Sequence, residues 1–193
     1  MPRVKEFNKE EVLQRAMDLF WKQGYHATSM QDLVDYLGIN RASLYDTFGG
    51  KKALFDLALQ NYRNVYFSAM EQTLESYPVR EALQRMFAGA VDAASQDKHR
   101  RGCFVVNSTT ELAASDEEIR EAVEENKQKF EALLTRHIRI AQKEGRIHSK
   151  KNPAQLAALI FAFYNGFQVL ARIKPERKEL QNLARNAISI LDS

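Results

Sequence analysis

Apolar side chains recur at helical spacing along almost the whole chain. Between residues 28 and 38, Met30, Leu33, Val34 and Leu37 occupy positions i, i+3, i+4 and i+7, which places them on one face of a helix. Strand-like alternation of apolar and polar residues is nearly absent. The pattern predicts an all-α protein of about nine helices, with a helical content far above the one-third of an average domain.

A short helix is predicted just after residue 27. Thr28 with Gln31 three positions later has the form of a capping box, so that the helix is expected to begin at Ser29. Gly38 follows the last apolar residue, where the turn needs a left-handed backbone that glycine adopts at little cost. The helix is therefore expected to end just before Gly38.

A second short helix follows this turn. Asn40 is a good N-cap for it, and Leu44 and Phe48 point toward the core. The side chains expected at the surface or its edges are Arg41, Ala42, Ser43, Tyr45 and Thr47. Two helices joined by a short turn, the second presenting small and polar side chains, match a helix-turn-helix that reads the major groove. The alternative is an ordinary helical hairpin with a solvated outer face.

The flanking segments extend this pattern into a recognisable order. Asn8 predicts the start of a preceding helix, which Gly24 ends. The chain then reads G-Y-H-A-T-S-M, helix, L-G-I-N, helix, S-L-Y-D-T-F, and a Gly-Gly-Lys-Lys entry into a long fourth helix. From Phe7 to Leu57 this combination resembles the N-terminal domain of the TetR family of bacterial one-component regulators. The resemblance implies a helix-turn-helix DNA-binding domain at 1–52.

Two positions depart from the pattern of that family. Gly50 stands where Ser, Asn or Asp often caps the fourth helix, and glycine is a tolerated N-cap. Asp46 and Thr47 stand where an aromatic or histidine pair often follows the tyrosine, so the family pattern gives no indication of which bases are read. The resemblance further implies that residues 53–193 form a helical ligand-binding and dimerisation domain.

The resemblance also implies which residues contact DNA. Tyr45 and Lys51 are expected to bind phosphates, whereas Arg41 and Ser43 are expected to face base edges, since a guanidinium fork suits guanine. The expected DNA-binding residues are Thr28, Asn40, Arg41, Ala42, Ser43, Tyr45, Thr47 and Lys51.

The net charge of +3 adds little to this interpretation. Residues 1–56 contain eight basic and eight acidic side chains, so bulk electrostatics do not indicate DNA binding. The positions of the basic residues matter more: they flank helix starts, where free backbone N–H groups bind phosphate. We expect a narrow basic rim around the second and third helices, formed by Arg3, Lys5, Arg41, Lys51 and Lys52.

One segment near the C-terminus predicts self-association. The eighth helix reads LAALIFAFYNGF from Leu156 to Phe167 and is apolar on nearly every face, so it needs cover on every face. We take this stretch as too short to span a bilayer. The ninth helix and a second copy of the chain are expected to pack against it. The alternative is that it forms the central helix of a monomer. The resemblance implies a dimer through a bundle of the last two helices from each chain. The expected dimerisation residues are Leu156, Ile160, Phe163, Phe167, Leu183 and Ala187.

The middle of the chain is rich in aromatic and flexible apolar side chains. Such residues with a few polar anchors are typical of a small-molecule site, although filling of the core explains each of them equally well. The expected ligand-binding residues are Tyr62, Tyr66, Met70, Met86, Phe87, Cys103, Asn107 and Phe130. The fourth helix is expected to be the only element that touches both this site and the DNA-binding domain.

The single cysteine excludes an internal disulfide framework and fits a reducing cytoplasm. Cys103 follows Gly102 at an expected helix start and lies beside Arg100 and Arg101. Both features lower a thiol pKa, so one interpretation of Cys103 is a reactive sensor thiol. The other is that it is a small apolar residue buried in the core. The four histidines are scattered, and no catalytic, nucleotide-binding or metal motif is present. We expect no enzyme, no metal and no cofactor.

Together these patterns predict a cytoplasmic, ligand-responsive regulator. As a homodimer it would bind a palindromic operator on double-stranded DNA, act as a repressor, and be released by a small-molecule effector. No membrane partner is expected. One alternative is an all-helical binding or enzymatic protein whose N-terminal hairpin docks a protein partner, and another is a regulator with Cys103 as a redox sensor. One observation would distinguish the regulator from the docking protein: in a regulator, four side chains are exposed together on one basic rim, those of Arg41, Ser43, Tyr45 and Thr47.

Overall fold

The computed structural model describes residues 7–173 and 176–192. Within these ranges the chain forms nine α-helices and no strand, which confirms the all-α prediction. The helices are α1 Lys9–Gln23, α2 Met30–Leu37, α3 Arg41–Phe48, α4 Lys51–Ser76, α5 Val79–Gln96, α6 Phe104–Leu112, α7 Glu117–Lys143, α8 Pro153–Ile173 and α9 Arg177–Ser189, with a short 3-10 helix at Ile190–Asp192. Arg3 and Lys5 of the expected basic rim lie outside the described residues.

Local side-chain caps fix the starts of α1 and α3 as the sequence predicts. The Asn8 side chain accepts hydrogen bonds from the backbone N–H groups of Glu10 and Glu11, at 2.9 and 3.3 Å. Asn40 accepts one from the backbone N–H of Ser43 at 2.8 Å. Gly38 ends α2 with a φ of +69°, the left-handed conformation that the turn requires.

The start of α2 differs from the prediction by one residue. Ser29 is the cap: its Oγ accepts from the backbone N–H of Asp32 at 3.0 Å, and the Asp32 carboxylate accepts from the backbone N–H of Ser29 at 2.7 Å. Thr28 is instead fully buried, and its hydroxyl donates to the carbonyl of Gly24 at 2.6 Å. The proposed capping box of Thr28 and Gln31 is therefore wrong, because the threonine hydroxyl already serves the preceding turn.

The first hydrophobic core joins α1, α2, α3 and the N-terminal half of α4 around Phe20, Leu33 and Phe55. Phe104 and Leu112 of α6 belong to the same core, so α6 is packed directly against the N-terminal helices. The division into 1–52 and 53–193 stays a prediction, since α4 runs without a break from this core into the second one.

The second core packs α8 against α7, with α5 and α9 completing the bundle. Four residues predicted to form the dimer contact are buried in this core within the single chain: Leu156, Ile160, Phe167 and Ala187. They are not available to a second copy, and that part of the prediction is wrong. Phe163 and Leu183 are half-buried against the same core.

The opposite face of α8 carries apolar side chains that no other described element covers. Leu159, Val169, Leu170 and Ile173 are between 42 and 65% exposed. At 21 residues α8 is also long and apolar enough, by length and composition alone, to cross a membrane, so the prediction that it is too short is wrong. One face of α8 lies on the core, and the other is exposed.

Candidate nucleic-acid interface and ligand cavity

The exposed face of α3 carries the residues that the sequence predicts. Leu44 and Phe48 are buried against the first core, which fixes the rotation of the helix. Of the expected DNA-binding residues, the structure leaves exposed Asn40, Arg41, Ala42 and Tyr45, and half-buries Ser43, Thr47 and Lys51. The prediction that Thr28 contacts DNA is wrong, because its side chain is fully buried.

The turn between α3 and α4 forms a backbone site suited to an anion. Gly49 and Gly50 have φ values of +83° and +111°, and no side chain caps the first N–H groups of α4. A Cβ atom at Gly50 would lie 2.9 Å from the Tyr45 ring, so glycine is required there and the ring is held beside the start of α4. Free N–H groups at the start of a long helix bind phosphate.

The two lysines at the start of α4 have different surroundings. The Lys51 ammonium lies 4.2 Å from the centre of the Tyr25 ring, and partial burial lowers its pKa against the opposing charges of Glu111 and Asp32. Lys52 Nζ lies 2.8, 3.3 and 2.9 Å from Asp56, Asp116 and Glu118. Its charge is thus matched by three acids, and the expected basic rim does not include it.

A cavity of about 510 Å³ lies between α1, α4, α5, α6, α7 and α8. Six of the expected ligand-binding residues line it: Tyr62, Tyr66, Met70, Met86, Cys103 and Phe130. Phe87 does not, because its ring is buried in the second core against Phe163 and Phe167. Asn107 does not either, because its amide donates to the Arg101 carbonyl and accepts from Arg172.

Several other residues of the cavity wall are not predictable from the sequence, because the spacing of apolar residues along a helix does not show which of them face a cavity. They include Trp21, Arg63, Asp97, Arg101, Phe161 and Tyr164. Trp21 belongs to α1, and Tyr164 lies in the apolar run of α8, where periodicity does not identify a face. Only the packing of distant helices brings these side chains together.

Comparison with known proteins identifies the family. A model of the bacterial regulatory proteins of the tetR family matches residues 12–58, and a model of the tetracyclin repressor-like C-terminal domain matches residues 79–187. The chain belongs to the TetR family. It is a helix-turn-helix transcriptional regulator that binds DNA, and it is not an enzyme.

Individual relatives agree with this assignment over the full chain. The uncharacterized HTH-type transcriptional regulator YezE of Bacillus subtilis (strain 168) is 30% identical over 194 residues, covering 100% of both chains. The HTH-type transcriptional repressor ComR of Escherichia coli (strain K12) is 28% identical and covers 97% of this chain and 90% of its own length. A cysteine mutant of the TetR family regulator CifR, complexed with 26bp operator DNA, superimposes with a TM-score of 0.84 at 28% identity, covering 97% of this chain and 98% of that one.

In this TetR-family chain, α1 and α6 connect the cavity to the DNA-binding helices. Trp21 Nε1 donates to the carbonyl of Gly102 at 3.0 Å, and the Arg101 guanidinium lies 4.2 Å from the Trp21 ring. At the far end of α6, the Glu111 carboxylate accepts from the backbone N–H groups of Tyr25 and His26, at 3.1 and 2.7 Å. The expectation that α4 is the only connection is therefore wrong.

The surroundings of Cys103 favour the protonated thiol. Cys103 is half-buried at the start of α6 and interacts with the Tyr62 hydroxyl. Burial raises the pKa of the thiol and outweighs the lowering by the backbone N–H groups of Val106 and Val105. The expected lowering of this pKa by the helix start and the neighbouring arginines is thus wrong in direction. In the described part of the chain, no cluster of three His, Cys, Asp or Glu side chains suits a metal.

Proposed function

We propose that this regulator is a cytoplasmic, dimeric repressor that binds a palindromic operator and is released by a small molecule. The supporting observation is the exposed face of α3 beside the uncapped start of α4, held on a continuous core. Relatives named as repressors, ComR and BdcR of Escherichia coli, support the sense of regulation.

The proposed DNA contacts divide into two kinds. Tyr45 and Lys51 flank the free N–H groups of α4 and would bind phosphate, which sets the register without reading sequence. Arg41 and Ser43 lie in the first turn of α3 and would face base edges. Asn40, Ala42 and Thr47 complete the surface that approaches the groove.

The proposed dimer uses the exposed face of α8. Leu159, Val169, Leu170 and Ile173 form an apolar surface that a second copy can cover by two-fold symmetry. A two-fold dimer presents two copies of α3, and two recognition helices fit successive major grooves when they lie about 34–36 Å apart. The predicted operator is therefore a palindrome.

Release is proposed to act through the cavity wall. A ligand among Tyr62, Met86 and Cys103 contacts α4, α5 and the start of α6, and Trp21 brings α1 to the same cavity. A ligand that prefers the arrangement in which the two α3 helices are misplaced would weaken DNA binding. By linkage, operator DNA must then weaken ligand binding by the same factor, typically 5- to 150-fold.

The test is selection of operators from random double-stranded DNA, followed by binding titrations at several salt concentrations. We expect an enriched palindrome bound by two chains. Lys51→Ala should weaken binding to all sequences and reduce the salt slope by about one unit, whereas Arg41→Ala should mainly relax base discrimination by about 1–3 kcal/mol. Failure to enrich any sequence would refute the proposal, and identical behaviour of the two variants would refute the division of contacts.

A further inference from the structure

The cavity wall is lined by aromatic rings suited to a planar apolar molecule. The ring centres of Tyr62 and Tyr66 are 4.2 Å apart. The ring centre of Phe130 lies 5.2 Å from that of Phe161 and 6.2 Å from that of Tyr164. Ring faces and edges of this kind favour contact with another ring. The volume of about 510 Å³ lies within the range of about 300–1,000 Å³ usual for small-molecule sites.

The charged side chains on the wall are mostly cationic. In the described part of the chain these are four arginines, Arg63, Arg85, Arg100 and Arg101, and one acid, Asp97. Asp97 already accepts hydrogen bonds from the backbone N–H groups of Arg101 and His99, at 2.8 and 3.0 Å, and from Arg101 Nε at 3.2 Å. Three of the arginines also have acid partners, Arg63 with Glu125, Arg85 with Glu81, and Arg101 with Asp97 and Asp18. The wall therefore has no large positive excess, and an anion must be recognised by a specific donor.

Among the described residues that line the cavity, Arg63 is the arginine with a buried hydrogen-bond donor that has no partner. Its side chain is only 12% exposed, and Nη2 lies 2.6 Å from the Glu125 carboxylate. Its Nε–H group is buried and has no hydrogen-bond partner among the described residues. A buried donor without an acceptor is unfavourable, because its lost hydrogen bonds to water are not replaced. Arg63 also lines the cavity, so a ligand bound there that supplies an acceptor would satisfy this donor once the arginine side chain turns toward it.

From the ring-lined wall and the free donor, we propose that the effector is an aromatic carboxylate whose carboxylate binds Arg63 and whose ring system packs among Tyr62, Tyr66 and Phe130. Glu125 is 53% exposed and keeps its bond to Nη2, so the ligand takes the free Nε donor rather than displacing the acid. This inference rests on the proposed function for the role of the ligand, but binding itself is measured without DNA.

The experiment compares three probes of nearly equal size by calorimetric titration of the full chain: 2-naphthoate, its uncharged amide 2-naphthamide, and 2-naphthalenemethanol. We expect 2-naphthoate to bind at least tenfold more tightly than either uncharged probe. The amide keeps a carbonyl oxygen without the charge, and so distinguishes recognition of an anion from recognition of any acceptor. Equal affinities for the three probes, or no binding of 2-naphthoate, would overturn the proposal.

Two variants locate the contact. Arg63→Met and Glu125→Gln both abolish the same ion pair, but only Arg63→Met removes the donor. We expect Arg63→Met to bind the three probes equally, while Glu125→Gln retains the preference for 2-naphthoate. Equal loss of that preference in both variants, with unchanged thermal unfolding, would show that the ion pair acts only through the shape of the wall and would overturn the assignment.

The failure of this inference is distinguishable from failure of the proposed function. A chain that enriches a palindromic operator but does not discriminate 2-naphthoate from 2-naphthamide remains a repressor with a different ligand class. A chain that discriminates the probes but enriches no DNA retains the carboxylate site and loses the repressor function.

Discussion

At the scale of single residues, Cys103 experiences opposing effects on its pKa. Two backbone N–H groups at the start of α6 and the Tyr62 hydroxyl stabilise the thiolate, but burial favours the neutral thiol and is the larger effect. The pKa is raised as a result, and the thiolate fraction at neutral pH is small. The structure therefore favours a wall residue over a reactive sensor.

This environment predicts slow alkylation. At pH 7.5 we expect iodoacetamide to modify Cys103 at least tenfold more slowly in the folded chain than in urea, since the rate follows the thiolate fraction and access. Tyr62→Phe should slow the folded reaction further, because it removes a hydroxyl that lowers the thiol pKa, whereas Tyr36→Phe on the exposed side of α2 should leave it unchanged. Equal rates in the folded and unfolded chain would restore the redox-sensor alternative.

Neighbouring hydroxyls show how far residue-level prediction reaches. Caps at Asn8 and Asn40 follow from local sequence because donor and acceptor lie two or three residues apart. Thr28 and Ser29 satisfy the same local rule, and only the position of the Gly24 carbonyl decides between them. The role of Arg63 is also set by distant packing against Glu125, which no local pattern contains.

At the scale of elements, α6 spans the distance between the cavity and the DNA-binding helices. Its first residues follow Gly102 and Cys103 on the wall, and Glu111 near its last turn holds the loop after α1. A Cβ atom at Gly24 would lie 2.8 Å from the Glu111 carboxylate, so the contact is close. A displacement of α6 by a ligand would reach this loop directly.

Removal of this contact should loosen the loop. We expect Glu111→Ala to raise the hydrogen-exchange rates of the Tyr25 and His26 amides by at least tenfold and to destabilise the chain by about 1.5–3 kcal/mol, the usual contribution of hydrogen bonds to a charged acceptor. Glu118→Ala is the control, because it removes an exposed ion pair with Lys52 that contributes at most about 1 kcal/mol. Indistinguishable exchange in the two variants would exclude Glu111 as the connection.

Helix positions were predictable at this scale, whereas the partners of each face were not. An amphipathic helix such as α2 shows its buried side by spacing, and Leu33 and Leu37 are indeed buried. In α8 nearly every position is apolar, so Leu156 and Leu159 look alike in sequence although one is buried and the other half exposed. The assignment of α8 residues to the dimer contact failed for this reason.

At the scale of the whole molecule, the exposed face of α8 is the feature that the single chain leaves unexplained. Leu159, Val169, Leu170 and Ile173 expose apolar surface along the same helix that packs on α7 by its other face. A contiguous exposed apolar surface marks an interaction site. We propose a second copy of the chain as the partner, because a two-fold dimer would also bring two recognition helices to one operator.

Leu170→Asp tests this directly. The substitution places an unpaired charge in the proposed interface, at a cost of several kcal/mol, and a loss of about 3 kcal/mol raises the dissociation constant more than a hundredfold. We expect the variant to sediment as a folded monomer at micromolar concentration and to lose operator binding. Val65→Asp is the matched control, since Val65 is 58% exposed and belongs to α4 rather than to α8, and it should remain a dimer that binds DNA. Phe167→Asp is unsuitable because Phe167 is 1% exposed within the single chain and its replacement would unfold the core.

Two results would contradict this proposal. If Leu170→Asp remains a dimer, the exposed face of α8 is not the interface. If the wild-type chain is a monomer and still protects a palindrome, dimerisation is not the basis of operator recognition.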